Sequence, residues 1–120
     1  MNQTVNGLRI ILTIVDRKKG KRVVNLLETC GCYHHQIFLG KGTAPQEIFE
    51  YLGFGEIEKD IVLSIATVDR APILLKLLQE EMDFDQPGHG MACSIPIDSV
   101  AGQSVLNVIL GNWQKGDASK

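Results

Sequence analysis

The residues best suited to chemistry fall into three clusters. The first is Gly88-His89-Gly90-Met91, which follows Pro87. Glycines on either side of His89 let backbone N–H groups line a concavity and approach an anion closely. The second is Cys30-Gly31-Cys32-Tyr33-His34-His35. Thiolate and imidazole are the usual zinc and copper ligands. C-x-C followed by adjacent histidines is not a standard zinc spacing, however, and neighbouring residues of a strand point to opposite faces. Free cysteines at a helix end are more often core filling, so no metal site is read here. The third is Cys93 with His89, a nucleophile and base in principle. Ala92 and Ile95 place Cys93 in an apolar strand, the setting of an inert thiol. The pairs Glu56/Glu58 and Glu80/Glu81 sit in polar stretches, where solvation accounts for them. No reaction centre assembles from these residues, and the chain is read as a non-enzyme.

The elements that position these clusters form a duplicated unit. Thr13-Ile14-Val15-Asp16-Arg17 resembles Ala66-Thr67-Val68-Asp69-Arg70, 53 residues later. Each copy ends a β-rich apolar run, Leu8 to Val15 and Asp60 to Val68, and each precedes a segment with helical spacing. Both aspartates are placed to serve as N-caps. The first helix is expected from about Arg17 to Cys30, with Val23, Val24, Leu26, Leu27 and Cys30 on one face and Gly31 as its C-cap. The second is expected from Arg70 to about Met82. Pro72 is tolerable there because first-turn N–H groups lack helical partners. Strands follow at about Tyr33 to Leu39 and Met91 to Ile97.

The order β-α-β, middle segment, β-α-β predicts an α+β fold, the ferredoxin-like split βαββαβ sandwich. Its antiparallel sheet carries two helices on one face. The strands are apolar on both sides. Leu8, Ile10, Leu12 and Ile14 share one face of the first strand, with Ile11 and Val15 on the other. Ile61, Leu63 and Ile65 likewise oppose Val62, Ser64 and Ala66. Something must cover the second face: a partner subunit, or the middle segment or tail folded across it.

Composition narrows the function. The chain has 120 residues, 44% apolar and 22% charged, with a net charge of −2. One domain is expected over residues 1–120, with its core at about 8–101 and a C-terminal extension at about 102–120. The Val105 to Leu110 run in that extension reads as an extra edge strand, and Trp113 as an anchor for the tail. The acidic balance argues against a nucleic-acid partner. The cluster Arg17, Lys18, Lys19, Lys21 and Arg22 reads as a solvated first turn. No apolar run reaches the length of a membrane span. Met1 to Gly7 has no charged region leading into an apolar stretch, and three cysteines are too few for a disulfide framework. The expectation is a cytoplasmic protein with no membrane insertion.

A family resemblance rests on this order of parts. The first unit ends in Gly40-Lys41-Gly42, a long excursion follows, and Pro87-Gly88-His89-Gly90-Met91 leads into the last strand. Over residues 8 to 101 this resembles the PII family of nitrogen-regulatory signal proteins. The resemblance implies a homotrimer whose sheets line a central core. It also implies a small-molecule effector, an adenine nucleotide by family type, at clefts between subunits. The ligand-binding residues would be Gly40, Lys41, Gly42, Gly88, His89, Gly90 and Met91. Residues 43–58 would be the loop that docks on a regulated protein, whether transporter, enzyme or regulator. Its apolar residues Ile48, Phe49, Tyr51, Leu52 and Phe54 form either a contact surface or the packed face of a short helix.

The sequence also departs from that family. A lysine usually follows the glycine pair, and two arginines come later. Here Met91 stands at that position, and no Lys or Arg occurs between Asp83 and Gln114. A triphosphate needs cationic partners, so AMP, another small molecule or no nucleotide fits these residues better than ATP. No cofactor is assigned. The flanks of Tyr51, Glu50 and Leu52, do not match a nucleotidylated tyrosine. Two alternatives stand beside the sensor: a metal-binding trimer of the kind linked to metal tolerance, and a structural oligomerisation module.

Overall fold

The computed structural model describes residues 3–4, 7–42 and 58–102. The expectations for Ile48, Phe49, Tyr51, Leu52, Phe54, the 105–110 run and Trp113 lie outside the described residues. Six elements form the body. They are β2 (Leu8–Asp16), α1 (Gly20–Thr29), β3 (His34–Lys41), β4 (Glu58–Thr67), α2 (Ala71–Glu81) and β5 (Met91–Pro96). A short antiparallel pair joins β1 (Gln3–Thr4) to β6 (Ser99–Val100). The main sheet has the order β3-β4-β2-β5, with every neighbour antiparallel. Each β-α-β unit is therefore split by a strand of the other, which is the ferredoxin-like arrangement.

Strand parity sets the layers. In the β2–β4 pair, Ile11 faces Ser64, Thr13 faces Val62 and Val15 faces Asp60. All six are buried and lie on one face. Against them pack Val23 and Leu27 of α1 and Leu74 and Leu78 of α2, each fully buried. The opposite face carries Ile10, Leu12 and Ile14 beside Ile65, Leu63 and Ile61. These are half-buried. Phe38 on β3 and Met91 and Ile95 on β5 extend this face, and each is more than a third exposed. Among the described residues, only its Leu8 end is covered, by Ile97 and Val100.

The start of α1 and the capping residues differ from expectation, while α2 begins within one residue of Arg70 with Pro72 in its first turn. Helix α1 begins at Gly20, not Arg17, and neither Asp16 nor Asp69 caps a helix. The N-cap residues are Lys19 and Arg70, and neither makes a side-chain capping bond. Asp16 is instead the last residue of β2, and its carboxylate takes the Lys59 ammonium at 2.5 Å. The N-terminus of α1 borrows its cap from a distant strand. The buried Asp60 carboxylate accepts the N–H groups of Lys18 at 2.9 Å and Gly20 at 3.0 Å. Lys18 adopts a left-handed φ of 79° to reach it. A Cβ at position 20 would lie 2.9 Å from Asp60 Oδ2, so glycine is needed for this approach. Asp69 accepts the Thr67 hydroxyl, which holds its carboxyl below the usual range, with smaller help from backbone N–H groups and Arg70.

Candidate functional site

The register places both glycine-bearing segments at one end of the sheet. Gly40 pairs with Lys59 and Lys41 with Glu58, while Met91 pairs with Ile14 and so stands close to Asp16. The two segments occupy opposite edges, β3 and β5. Three inter-strand spacings separate these edges, roughly 14 Å. A single phosphate or carboxylate held at one corner is therefore beyond hydrogen-bond reach of the other within one chain. The structure thus groups Gly40, Lys41 and Gly42 at one corner and Gly88, His89, Gly90 and Met91 at another, without joining them.

The second corner is a built turn. Asp83, Gly88 and Gly90 all have positive φ, at 54°, 84° and 118°. The N–H of Phe84 donates to Gln79 O, that of Gln86 to Asp83 O, and that of His89 to Gln86 O. Gly90 is held where no side chain fits, since a Cβ there would come within 2.4 Å of Ile14 O. His89 Nδ1 lies 3.3 Å from Met82 O. A carbonyl only accepts, so Nδ1 carries the proton and Nε2 presents its lone pair. That pair suits a ligand hydroxyl. Gly40 at the first corner is less confined, because a Cβ there would meet at 2.8 Å only Ile61 Cδ1, the tip of a movable side chain. Lys41 is exposed.

Charge at this end is organised by residues whose role the sequence reading missed. Arg17 pairs with Glu58 at 2.9 Å, and its N–H donates to Glu58 O. With Lys59–Asp16 and the Asp60 cap, three consecutive residues of β4 are tied to the β2–α1 junction. Arg22 donates from Nη2 to Glu81 O at 3.2 Å, a cation at the negative end of α2. Arg17 and Arg22 therefore have specific partners and are more than a solvated first turn. The missed signal was the alternation of charge in Glu58-Lys59-Asp60 against Asp16-Arg17-Lys18, legible only once the strands are paired.

The cysteine–histidine segment does other work. His35 is nearly buried, with Nδ1 2.8 Å from Ser64 Oγ and Nε2 2.8 Å from Cys32 O. Nε2 must donate to that carbonyl, so both ring nitrogens are engaged. The Cys32 thiol donates to Ile65 O at 3.3 Å. Burial pushes its pKa up, against a backbone hydrogen bond at His34 that lowers it. Among the described residues, no three His, Cys, Asp or Glu side chains converge as a metal set. Cys93 lies opposite Leu12 in the sheet, and no hydrogen bond joins it to His89 among the described residues.

No protein-family model and no curated protein matches the sequence. Solved structures do match the fold. CutA from Synechococcus elongatus superposes with a TM-score of 0.62 at 13% identity, covering 83% of this chain and 85% of that one. A PII protein of Arabidopsis thaliana bound to citrate gives 0.60 at 15% identity, with coverage of 81% and 83%. The CPII protein of Thiomonas intermedia, bound to ADP, AMP and acetate, gives 0.55 at 17% identity, covering 81% and 91%. The chain has the PII-like, CutA-like ferredoxin fold. Among the described residues, no helix is long and apolar enough to cross a membrane.

Proposed function

We propose that the protein is a PII-like regulatory module without catalytic activity. It assembles as a homotrimer through the open sheet face and senses a small molecule between subunits. Residues 43–58 carry the response to a partner protein. One observation supports this most: the two glycine-bearing segments share an end of the sheet but sit on opposite edges. A neighbouring chain brings one subunit's Gly40-Lys41-Gly42 edge to another's Gly88 to Met91 turn, and the apolar face supplies the surface for that association. Ligand binding at such a junction shifts the population of the connected loop by its differential affinity for the loop's states.

The ligand is an adenine nucleotide of low charge. The CPII relative in fold binds ADP and AMP, and the Gly88 to Met91 turn offers backbone N–H groups and His89 but no Lys or Arg. Fewer phosphates therefore suit it better. Calorimetric titration of the full chain with AMP, ADP and ATP tests this. AMP or ADP binds, ATP binds no tighter, and His89→Ala weakens binding without changing assembly. No heat from any of the three would remove the nucleotide reading. Saturating zinc or copper binding that Cys30→Ser abolishes would favour the metal-binding alternative instead.

A further inference from the structure

The end of the sheet away from the glycine segments holds a cavity that the sensor reading does not use. It measures about 290 Å³ and lies between the α1–β3 connection and the β4–α2 turn. That is close to the lower bound, roughly 300 Å³, of small-molecule sites. Leu8, Ile65 and Leu74 give it an apolar wall, and Tyr33, His34 and Arg70 a polar rim. The lining is about as polar as it is apolar and the cavity opens to solvent, so the apolar wall faces charged and hydrogen-bonding groups at the rim.

Arg70 is the positioned charge. Its Nη1 donates to Cys30 O at 2.6 Å, which fixes the guanidinium across the end of α1. It packs beside Gly31, whose left-handed φ of 83° turns the chain there. A guanidinium has five N–H donors in a planar fork. Apart from the bond to Cys30 O, Arg70 makes no side-chain hydrogen bond among the described residues. The wall brings no competing anion. The Cys32 thiol is spent on Ile65 O and kept protonated by burial. Asp69 lies outside the lining; its carboxylate accepts the Thr67 hydroxyl first and is attracted to Arg70 only as a smaller effect.

We propose that this cavity binds a small organic carboxylate with a compact apolar body. Arg70 holds the carboxylate, the body lies against Ile65 and the Tyr33 ring, and His34 borders the mouth. Tyr33 is 66% exposed, a large ring left in water beside an apolar hollow. The site rests on the fold and not on nucleotide sensing, so the two readings fail separately.

The test is amide NMR of the full chain with sodium benzoate and with benzamide, which has the same shape and no charge. Benzoate should shift the resonances of Tyr33, His34, Ala66 and Arg70 saturably, while benzamide shifts them at least about tenfold more weakly, the loss of a charge-assisted contact. Arg70→Gln should weaken benzoate about tenfold. Tyr33→Ala, at an exposed position that leaves the fold intact, should weaken it by about threefold through lost apolar contact. Equal shifts from benzoate and benzamide, benzoate shifts confined to other parts of the chain, or unchanged benzoate affinity in a folded Arg70→Gln protein would each overturn the proposal.

Discussion

The two faces of the main sheet carry nearly the same kind of residue and meet different fates. On one, Ile11, Val15 and Val62 disappear beneath α1 and α2. On the other, Ile10, Leu12, Ile14, Ile61, Leu63 and Ile65 form an apolar surface of similar size, left half-buried within the chain. The covered face also holds the polar residues that fix geometry: Ser64 orients His35, and Asp60 caps α1. The open face is nearly pure hydrocarbon in its centre. The first face specifies one folded chain, because buried polar groups tolerate only one set of partners. In the proposed trimer, the second supplies the surface for association without prescribing much beyond shape.

Substitutions on each face should separate these roles. Leu78→Ala, at a fully buried position, should cost about 2–5 kcal/mol in chemical denaturation, the usual range for a core leucine. Leu63→Glu lies on the open face and should break the assembly while leaving the circular dichroism of the chain unchanged. Loss of the folded signal in that variant would mean that the face is essential to the chain itself. Asp60→Asn should cost about 1–3 kcal/mol, because it removes a charged acceptor from two N–H groups of a buried cap. Asp16→Asn weakens a largely buried charged hydrogen bond and should cost about 1–2 kcal/mol.

The smallest effect concerns the Cys32 thiol. Its pKa is raised by burial, so the folded chain disfavours the thiolate more than the unfolded chain does. The resulting contribution is fully present below the ordinary thiol value of 9.0 and is lost as pH rises past it. Melting curves from pH 7 to 10 should show wild type losing stability above about pH 9 more steeply than Cys32→Ala. Iodoacetamide should modify Cys30 well before the buried Cys32.

The open face was legible in the sequence because strand parity is local. Alternation through Leu8 to Val15 and Asp60 to Val68 assigns every residue to a side before any partner is known. The order of elements was legible for the same reason. The start of α1 and the caps of both helices were not. Asp16 and Asp69 satisfy every local rule for an N-cap, yet α1 takes its cap from Asp60, a residue 40 positions away that arrives only when β2 and β4 pair. His35 was similarly opaque, since a histidine beside cysteines suggests metal until Ser64 and Cys32 O are seen to occupy both nitrogens. At the candidate site the glycines could be named from sequence. Their separation onto opposite edges required the strand order.

Sedimentation velocity of the wild-type chain beside Leu63→Glu tests the central claim most directly. Wild type should sediment as a trimer, three times the 13.2 kDa chain, and the variant as a folded monomer. A wild-type protein that remains monomeric across the accessible concentration range would contradict the account, because the open face would then have no partner subunit and the two glycine-bearing edges would never meet.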